Sequence, residues 1–275
     1  MSKLSSNQLQ EYNNNGYVAP IDILSENETI EIRKEIEFIE QKFPEEINKS
    51  GRYNAHLISP LLDRVVHNTK ILDAVESIIG KDILVCGTTL FIKNPYEKGF
   101  VSYHQDAKYI GLEPHNWVTA WVAITNTNEE NGCMRMWAGS HKDSLKDHNQ
   151  KFNEGNLLTR GQTVENVPEK EVKLLILSSG QMSLHHPALV HGSGLNKSND
   201  RRIGFVIQSY IGSNVKQVLG ENSVQIARGN NKFGYHKVIR RSSGLLNKSD
   251  IELKAIENEN LQRIFYAGSS KKGSF

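Results

Sequence analysis

The stretch FVSYHQDAKYIGLEPHNWVTAWVAI, residues 100–124, carries the strongest structural signal in this chain. Its centre is His104-Gln105-Asp106, an imidazole and a carboxylate two positions apart. Side chains alternate across an extended strand, so the sequence predicts that His104 and Asp106 share one face of a strand. The run from Trp117 to Ile124, rich in β-branched and aromatic residues, favours the extended state. A His-x-Asp pair supplies two of the three ligands of a 2-His-1-carboxylate iron centre.

A third ligand is expected from one of the histidines that follow Asp106. The richest segment is GQMSLHHPALVHGSGLNKSNDRRIGF, residues 180–205. There His191 ends an apolar run and precedes Gly192-Ser193-Gly194, where the backbone can pass close to a ligand. One of His185 and His186 is expected to face the core and to hydrogen-bond a backbone carbonyl. The histidines after Asp106 are His115, His141, His148, His185, His186, His191 and His236.

Two adjacent arginines, Arg201 and Arg202, lie directly before the apolar run 203–207. Neighbouring residues on a strand face opposite ways, so only one of the two can point into the interior. A buried guanidinium without an anion is costly, and a dicarboxylate co-substrate would pair with it through two parallel hydrogen bonds. The sequence therefore predicts an anion site beside the candidate iron centre.

The composition is that of an ordinary globular protein. The chain has 275 residues, of which 37% are apolar and 23% charged, with a formal net charge of +2. This small net charge gives no indication that the protein binds nucleic acid or a membrane surface. No apolar run reaches the length of a membrane span. Two cysteines are too few for a disulfide framework, and the first residues lack the apolar core of a signal peptide. These observations predict a cytoplasmic protein without nucleic acid or membrane partners.

The hydrophobic pattern of the sequence changes after Gly80, from helical periodicity to short β-rich runs. Before it, helices are expected at 5–15, from the cap Ser25 with Glu28 three residues later, and in the pair 59–67 and 69–79. After it come short β-rich runs separated by turn residues, which indicate an antiparallel sandwich or barrel. These runs are 83–86, 89–93, 117–125, 134–137, 172–177, 182–185 and 203–210.

No linker divides the chain, so a single domain over 1–275 is expected. It would comprise a helical part of about 1–80, a β core of about 81–212 and a C-terminal extension of about 213–275. The polar segment 142–170 is long enough to favour a functional loop or lid. A helix is expected over 250–264, and the end, 268–275, is expected to fray.

Five pieces of the sequence, in order between Phe91 and Phe205, resemble the phytanoyl-CoA dioxygenase family of Fe(II)- and 2-oxoglutarate-dependent oxygenases. They are FIKNP, YHQD, VTAWVAI, NGCMRMWAGSH and HHPALVHGSGLNKSNDRRIGF. The resemblance implies a mainly β fold with flanking helices (α+β) and a double-stranded β-helix (jelly-roll) core. It also implies Fe(II) on His104, Asp106 and His191, with 2-oxoglutarate and O2 as co-substrates. Arg202 would bind the distal carboxylate of 2-oxoglutarate, and the pocket around that co-substrate would include Ser193, Trp121 and Leu90.

The segments GLEPH, VTAWVA and NGCMR also resemble those of a bacterial branch of the family that contains chlorinating enzymes. In halogenases of that branch a small residue replaces the carboxylate, so the presence of Asp106 indicates hydroxylation. The leading expectation for the substrate is a small organophosphonate; an amino acid, a compatible solute or a secondary metabolite is the alternative. The alternative to an enzyme is a binding protein with a jelly-roll fold and no catalytic activity. The protein is expected to be a monomer or a homodimer. Residues expected to bind a small anionic substrate, with ordinary surface charge as the alternative, are Lys108, Tyr109, Asn54, His56 and Arg135.

Overall fold

The computed structural model describes residues 3–150, 154–158 and 160–269. The helices in these ranges are α1 (Ser6–Asn15), α2 (Glu26–Lys42), α3 (Pro60–Val66), α4 (Thr69–Ile79), α5 (Ala107–Ile110) and α6 (Lys248–Phe265). Short 3-10 helices cover Pro44–Glu46, Lys49–Arg52, Ala55–Leu57, Ser140–Lys142 and Glu169–Glu171. The strands are β1 (Tyr17–Asp22), β2 (Ile83–Val85), β3 (Thr88–Lys93), β4 (Val101–His104), β5 (Leu112–Glu113), β6 (Trp117–Ala123), β7 (Met134–Trp137), β8 (Asn149–Gln150), β9 (Gln162–Thr163), β10 (Val172–Leu175), β11 (Gln181–His185), β12 (His191–Ser193), β13 (Arg202–Gly212), β14 (Lys216–Gln217), β15 (Ser223–Arg228) and β16 (Lys237–Val238).

The N-terminal helices form where the local sequence predicts them. Ser25 caps α2 in a capping box: its hydroxyl accepts from the Glu28 amide, and the Glu28 carboxylate accepts from the Ser25 amide. Gly80, in a conformation with φ of 90°, ends α4. The predicted tail helix is α6, whereas the expectation for 270–275 lies outside the described residues.

Two layers make up the jelly-roll core, and their strand pairs are antiparallel except for the parallel pair β15–β16. The larger sheet has the order β1-β11-β6-β13-β2-β15-β16, with β3 also paired to β13, and the smaller has the order β10-β7-β12-β4. The sheets are not closed into a continuous barrel. The expected mainly β fold with flanking helices is confirmed.

Strand β6 shows how the layers are assembled, because every one of its residues is buried. Val118, Ala120 and Val122 belong to the core that the larger sheet shares with the helices. Trp121 and Ala123 point the other way, into the core between the two sheets. Alternation along a strand that is covered on both faces explains this near-continuous apolar run.

Strands outside 81–212 also join the larger sheet. β1, from the N-terminal part, pairs with β11, and β15, from the C-terminal part, pairs with β2. The β structure thus extends beyond the stretch expected to form the core. Within the described ranges, no helix combines the length and the apolar character needed to span a bilayer.

Candidate metal centre

Two histidines from different strands lie side by side between the layers. His104 is the last residue of β4 and His191 is the first of β12, and the antiparallel register pairs them directly. Their ring centroids are 4.2 Å apart. Strand pairing therefore brings together two imidazoles that are 87 positions apart in the chain, the difference between residue numbers 191 and 104.

Asp106 lies beside these two histidines, but its backbone conformation is not the extended one that the sequence predicted. β4 ends at His104, and Asp106 has φ of −58° and ψ of −40°, the conformation of a helix start, directly before α5. The prediction that His104 and Asp106 share one face of an extended strand is wrong. A turn in the chain, rather than strand alternation, carries the carboxylate back to the imidazole, with Asp106 Oδ1 at 3.4 Å from His104 Nε2.

Gln105, fully buried, stabilises this turn. Its side-chain amide donates to the Ala188 carbonyl at 2.6 Å and its side-chain carbonyl accepts from the Lys146 amide at 2.8 Å. Its backbone N–H donates to His148 Nε2 at 2.9 Å. Since these partners come from remote parts of the chain, no local pattern predicts the end of the strand.

Both histidines present the nitrogen that a metal needs. Nδ1 of His104 lies 2.9 Å from the Ser102 carbonyl, and Nδ1 of His191 lies 2.9 Å from the Leu189 carbonyl. A carbonyl only accepts, so in each ring Nδ1 carries the proton and Nε2 keeps its lone pair. Burial lowers the pKa of His191 to about 3, which keeps this imidazole neutral and able to bind a cation at neutral pH.

The carboxylate is held in its charged form. Burial alone would raise the pKa of Asp106, but the imidazoles of His104 and His185 beside its two oxygens hold it well below its ordinary value. Asp106 Oδ2 lies 3.2 Å from the Thr119 hydroxyl and 3.8 Å from His185 Nε2. One oxygen thus faces His104 while the other faces Thr119 and His185.

These residues fit a divalent metal ion. One donor atom each from His104, Asp106 and His191 lies within 4.8 Å of the others, and in the described ranges no other group of three such residues does so. Two neutral imidazoles and one carboxylate are the donor set of a facial Fe(II) site.

His185 is a third imidazole at this centre, and sequence reasoning treated it as a core residue. It is 1% exposed, neither ring nitrogen has a hydrogen-bond partner among the described residues, and its ring lies 4.7 Å from that of His191. The expected bond from His185 or His186 to a backbone carbonyl does not form in the described structure; His186 Nδ1 instead accepts from the Ala188 amide. His185 lies at this centre because β11 pairs with β6, where His185 is opposite Thr119.

Arg202 points into the cavity and Arg201 points away, so only one of the two faces the interior, as alternation predicts, and it is the one that the family resemblance implied. Arg202 is 1% exposed; its Nη2 donates to the Gly132 carbonyl at 3.1 Å, and its Nε has no partner among the described residues. The guanidinium lies 5.4 Å from the ring of Trp121. On the opposite face Arg201 pairs with Glu40 on α2 at 2.8 Å. A buried, incompletely paired guanidinium is the feature expected of an anion site.

Lys93 is a second buried cation in this place, which sequence reasoning missed. It is paired in register with Arg202, is 0% exposed, and donates to the Ser193 hydroxyl at 2.7 Å and to the Gly194 carbonyl. Burial, with the neighbouring charge of Arg202, lowers its pKa to about 6. The alternation of β3 was the available signal, because Thr89 and Phe91 line the cavity. Leu90, on the opposite face of β3, lies instead in the core beneath the helices.

The cavity has about 840 Å³ of space between its walls and its mouth, and it reaches all three candidate metal ligands. Of the residues predicted to bind substrate, Tyr109 lines it. Asn54 and His56 line a separate small cavity, Lys108 is exposed, and Arg135 lies 3.7 Å from Glu169 in an ion pair. Segment 142–170 contributes Leu157, Leu158 and Gln162 to the wall.

The chain is similar to known oxygenases in sequence. A family model described as Phytanoyl-CoA dioxygenase (PhyH) matches residues 12–204. A probable alpha-ketoglutarate-dependent hypophosphite dioxygenase from Stutzerimonas stutzeri is 30% identical over 169 residues, which cover 61% of this chain and 58% of that protein. Human peroxisomal phytanoyl-CoA dioxygenase is 32% identical over 138 residues, or 48% of this chain and 41% of that protein. The chain therefore spans about half the length of these curated relatives.

Solved structures extend the similarity to nearly the whole chain. The non-haem monooxygenase ThoJ, in its apo form, superposes with a TM-score of 0.84 at 29% identity, covering 95% of this chain and 99% of ThoJ. CytC3 with Fe(II) and alpha-ketoglutarate has a TM-score of 0.66 at 20% identity, covering 87% of this chain and 94% of CytC3, and shows the shared fold.

Proposed function

This chain belongs to the phytanoyl-CoA dioxygenase family, and on that premise we propose that it is an Fe(II)- and 2-oxoglutarate-dependent hydroxylase of a small molecule. The observation that carries the proposal is the convergence of His104, Asp106 and His191 in one cavity with the buried cation Arg202. A metal site and an anion site in one enclosed space are what a metal-bound 2-oxoacid requires.

Bound Fe(II) with 2-oxoglutarate and O2 supplies an oxidative decarboxylation that yields succinate and CO2 and inserts one oxygen atom into a substrate C–H bond. The protein contributes geometry. His104, Asp106 and His191 would hold one face of the metal and leave three positions for the co-substrates. Arg202 and Lys93 would hold the distal carboxylate of 2-oxoglutarate by charge-assisted hydrogen bonds, and the apolar walls would exclude bulk water.

Hydroxylation is the outcome that the donor set favours. Asp106 provides a carboxylate where the related halogenating branch has a small residue, so the metal is not left with a position for halide. The intact set of His104, Asp106, His191 and Arg202 also argues against a non-catalytic binding protein, which has no need for all four.

For the substrate, we propose a small anionic molecule, with an organophosphonate oxidised next to phosphorus as the first candidate. The relative named for hypophosphite supports a phosphorus compound. An amino acid, a compatible solute or a secondary metabolite is the alternative. Cytoplasmic location, a single domain and a monomeric or homodimeric state stay predictions from the sequence.

The proposal is tested with purified protein, Fe(II), ascorbate, 2-oxoglutarate and O2. Hypophosphite, 2-aminoethylphosphonate, alkylphosphonates and amino acids are added one at a time, and succinate and oxidised product are quantified. A substrate should yield succinate and a product with one additional oxygen atom in equal amounts. Binding of Fe(II) and 2-oxoglutarate is measured separately by calorimetry under anaerobic conditions. If neither binds and no compound stimulates succinate release, the binding-protein interpretation replaces this one.

A further inference from the structure

We propose that Arg52 anchors the anionic group of the substrate and that the remainder of the substrate is apolar, an aryl or alkyl body. The inference rests on the proposed function, since it concerns the same cavity, and it narrows the substrate class. Arg52 ends the 3-10 helix Lys49–Arg52, far in sequence from the residues assigned to the metal and the co-substrate.

Arg52 is not needed to bind the co-substrate, because other cationic groups are available for it. Two guanidinium groups line the cavity, those of Arg202 and Arg52. Lys93 on β3 is paired in register with Arg202 on β13. These two cations together suffice to bind the distal carboxylate of one 2-oxoglutarate molecule. The other end of 2-oxoglutarate would bind the metal that His104, Asp106 and His191 would hold. Arg52 therefore remains for an anion other than the co-substrate.

Arg52 also lacks a carboxylate partner in the described part of the chain. Its Nη2 donates to the Tyr53 hydroxyl at 2.8 Å and to the Leu157 carbonyl at 2.6 Å, while its Nε is buried without a partner. Of the two acidic residues that line the adjoining groove, Glu40 pairs with Arg201 at 2.8 Å and Glu97 accepts from the Asn94 amide at 2.7 Å. The charge of Arg52 is thus not neutralised by those carboxylates.

Two aromatic rings lie beside the guanidinium of Arg52. Its central carbon lies 5.0 Å from the Tyr53 ring centroid and 5.4 Å from that of Phe91. Such contacts stabilise a cation in an apolar setting without satisfying its N–H groups. Both N–H groups of Nη2 in this guanidinium fork are engaged by Tyr53 and Leu157, so Nη1 is the nitrogen that would donate to a carboxylate, phosphate or phosphonate.

On the side of Arg52 that faces the cavity, the wall is largely apolar. Segment 142–170 contributes two leucines, and the end of α6 contributes a phenylalanine, to a wall whose apolar members include Tyr53, Phe91, Tyr109, Leu157, Leu158 and Phe265. A small hydrophilic anion would leave this wall in contact with water. An aryl or alkyl body would bury it, and each buried CH₂ group contributes about 0.8 kcal/mol. The favoured ligand is therefore an amphiphilic anion.

Binding without turnover tests the assignment. The protein is loaded with Ni(II) and saturating 2-oxoglutarate, so that neither cation of the co-substrate site is available. Matched acid and neutral ligands are then titrated by calorimetry and ligand-observed NMR: 4-phenylbutyrate and its amide, octanoate and its amide, and benzylphosphonate and its diethyl ester. 2-Aminoethylphosphonate serves as the small hydrophilic anion. We expect at least one acid to bind about tenfold or more tightly than its neutral partner and than 2-aminoethylphosphonate.

Three variants locate that preference. Arg52→Gln should abolish the difference between acid and neutral ligand while its affinity for 2-oxoglutarate stays that of wild type. Arg52→Lys, which keeps the charge and loses the fork, should retain part of the difference. Arg263→Gln, on an exposed arginine of α6, should behave like wild type. Thermal unfolding of each variant verifies that it is folded, and Arg52→Lys keeps the test decisive if Arg52→Gln is not.

Three results would overturn the inference. No acid binds more tightly than its neutral partner in the wild-type protein, the preference survives in folded Arg52→Gln, or 2-aminoethylphosphonate binds best of all. Failure of the proposed function has a different signature, namely absence of Fe(II) and 2-oxoglutarate binding in the wild-type protein before any of these ligands is added.

Discussion

Single side chains in this site are oriented by bonds to their own local backbone. His104 and His191 each direct Nδ1 to the carbonyl two residues earlier, those of Ser102 and Leu189. His148, beside the site, makes the same bond to Lys146. In His104 and His191 this bond fixes the tautomer and leaves Nε2 free to bind a metal, whereas Nε2 of His148 accepts from the Gln105 amide.

Removing either end of the His-x-Asp pair should abolish metal binding. In His104→Ala and Asp106→Ala we expect metal affinity to fall by at least about 100-fold, beyond the loss typical of outer-shell partners, because a ligand itself is lost. Calorimetric titration with Fe(II) under anaerobic conditions, together with succinate release, measures the effect. Circular dichroism should show a retained fold. Wild-type turnover in either variant would refute the ligand assignment.

The two neighbouring arginines should differ sharply. Arg202→Ala removes a buried charged partner of the co-substrate, a loss of about 1.5–3 kcal/mol, and should raise the 2-oxoglutarate requirement roughly 10- to 100-fold. Arg201→Ala, whose side chain pairs with Glu40 on the other face, should leave that requirement near wild type. The KM for 2-oxoglutarate provides the measurement, and equal effects would contradict the assignment of Arg202.

Lys93 predicts a pH-dependent co-substrate affinity. Its pKa in the ligand-free protein is lowered to about 6, below the ordinary value of 10.5, and a bound carboxylate favours the charged form. Above that pKa, binding must take up a proton, so Kd for 2-oxoglutarate should rise with pH by up to about tenfold per unit. Calorimetry from about pH 6.5 to 8.5, in buffers of different ionisation enthalpy, measures both quantities. Lys93→Met should bind more weakly with a flatter profile, and a flat wild-type profile would count against this role.

Among the elements, β13 determines how closely the co-substrate wall can pack. Arg202, at its first position, points into the cavity, and two residues later Gly204 faces the same way. The indole of Trp121, on the neighbouring β6, occupies the space that a side chain at Gly204 would need. The absence of a side chain at that position lets Trp121 lie beside the guanidinium of Arg202.

Gly204→Ala should therefore destabilise the protein and weaken co-substrate binding. A Cβ at this position would lie 2.1 Å from Trp121 Cζ2, so the indole must shift, at a cost of about 1–3 kcal/mol. Thermal unfolding and 2-oxoglutarate titration measure the two effects. Gly244→Ala is the matched control, because an added Cβ there meets nothing within 4 Å. Equal melting temperatures for the two variants would contradict the packing argument.

In the molecule as a whole, the cavity is completed by parts of the chain that are distant in sequence. Segment 142–170 and the end of α6 meet at Arg160, whose Nη1 donates to the Phe265 carbonyl at 3.2 Å and to the Ala267 carbonyl at 3.1 Å. The same guanidinium lies 5.4 Å from the ring of Tyr109. Arg160 thus joins two pieces of the wall that contribute Leu157, Leu158 and Phe265.

Arg160→Gln should loosen this wall without affecting the metal site. Loss of two hydrogen bonds from a charged donor corresponds to about 1.5–3 kcal/mol each and should increase hydrogen exchange in 154–163 and 261–267. Hydrogen-exchange mass spectrometry measures it, with Arg263→Gln as the exposed control on α6. Unchanged exchange in both peptides would show that the contacts of Arg160 do not hold the segment in place.

Much of the fold and part of the site follow from local patterns. Capping at Ser25, the end of α4 at Gly80 and the order of the β-rich runs all depend on near neighbours, and the structure agrees with each. The opposite directions of Arg201 and Arg202 follow from alternation, whereas the choice of Arg202 as the inward one came from the family resemblance. The placement of Asp106 did not follow, because Gln105 ends β4 through bonds to Ala188 and Lys146.

The sequence by itself determined the candidate donor set, the order of the strands along the chain and the opposite directions of Arg201 and Arg202. Tertiary structure alone decided that Lys93 lies beside Arg202 whereas Leu90 packs beneath the helices, that His185 stands beside Asp106, and that Arg52 and Phe265 share one wall. The physical reason is that periodicity shows which residues share a face. Strand pairing and the docking of remote segments determine what that face meets.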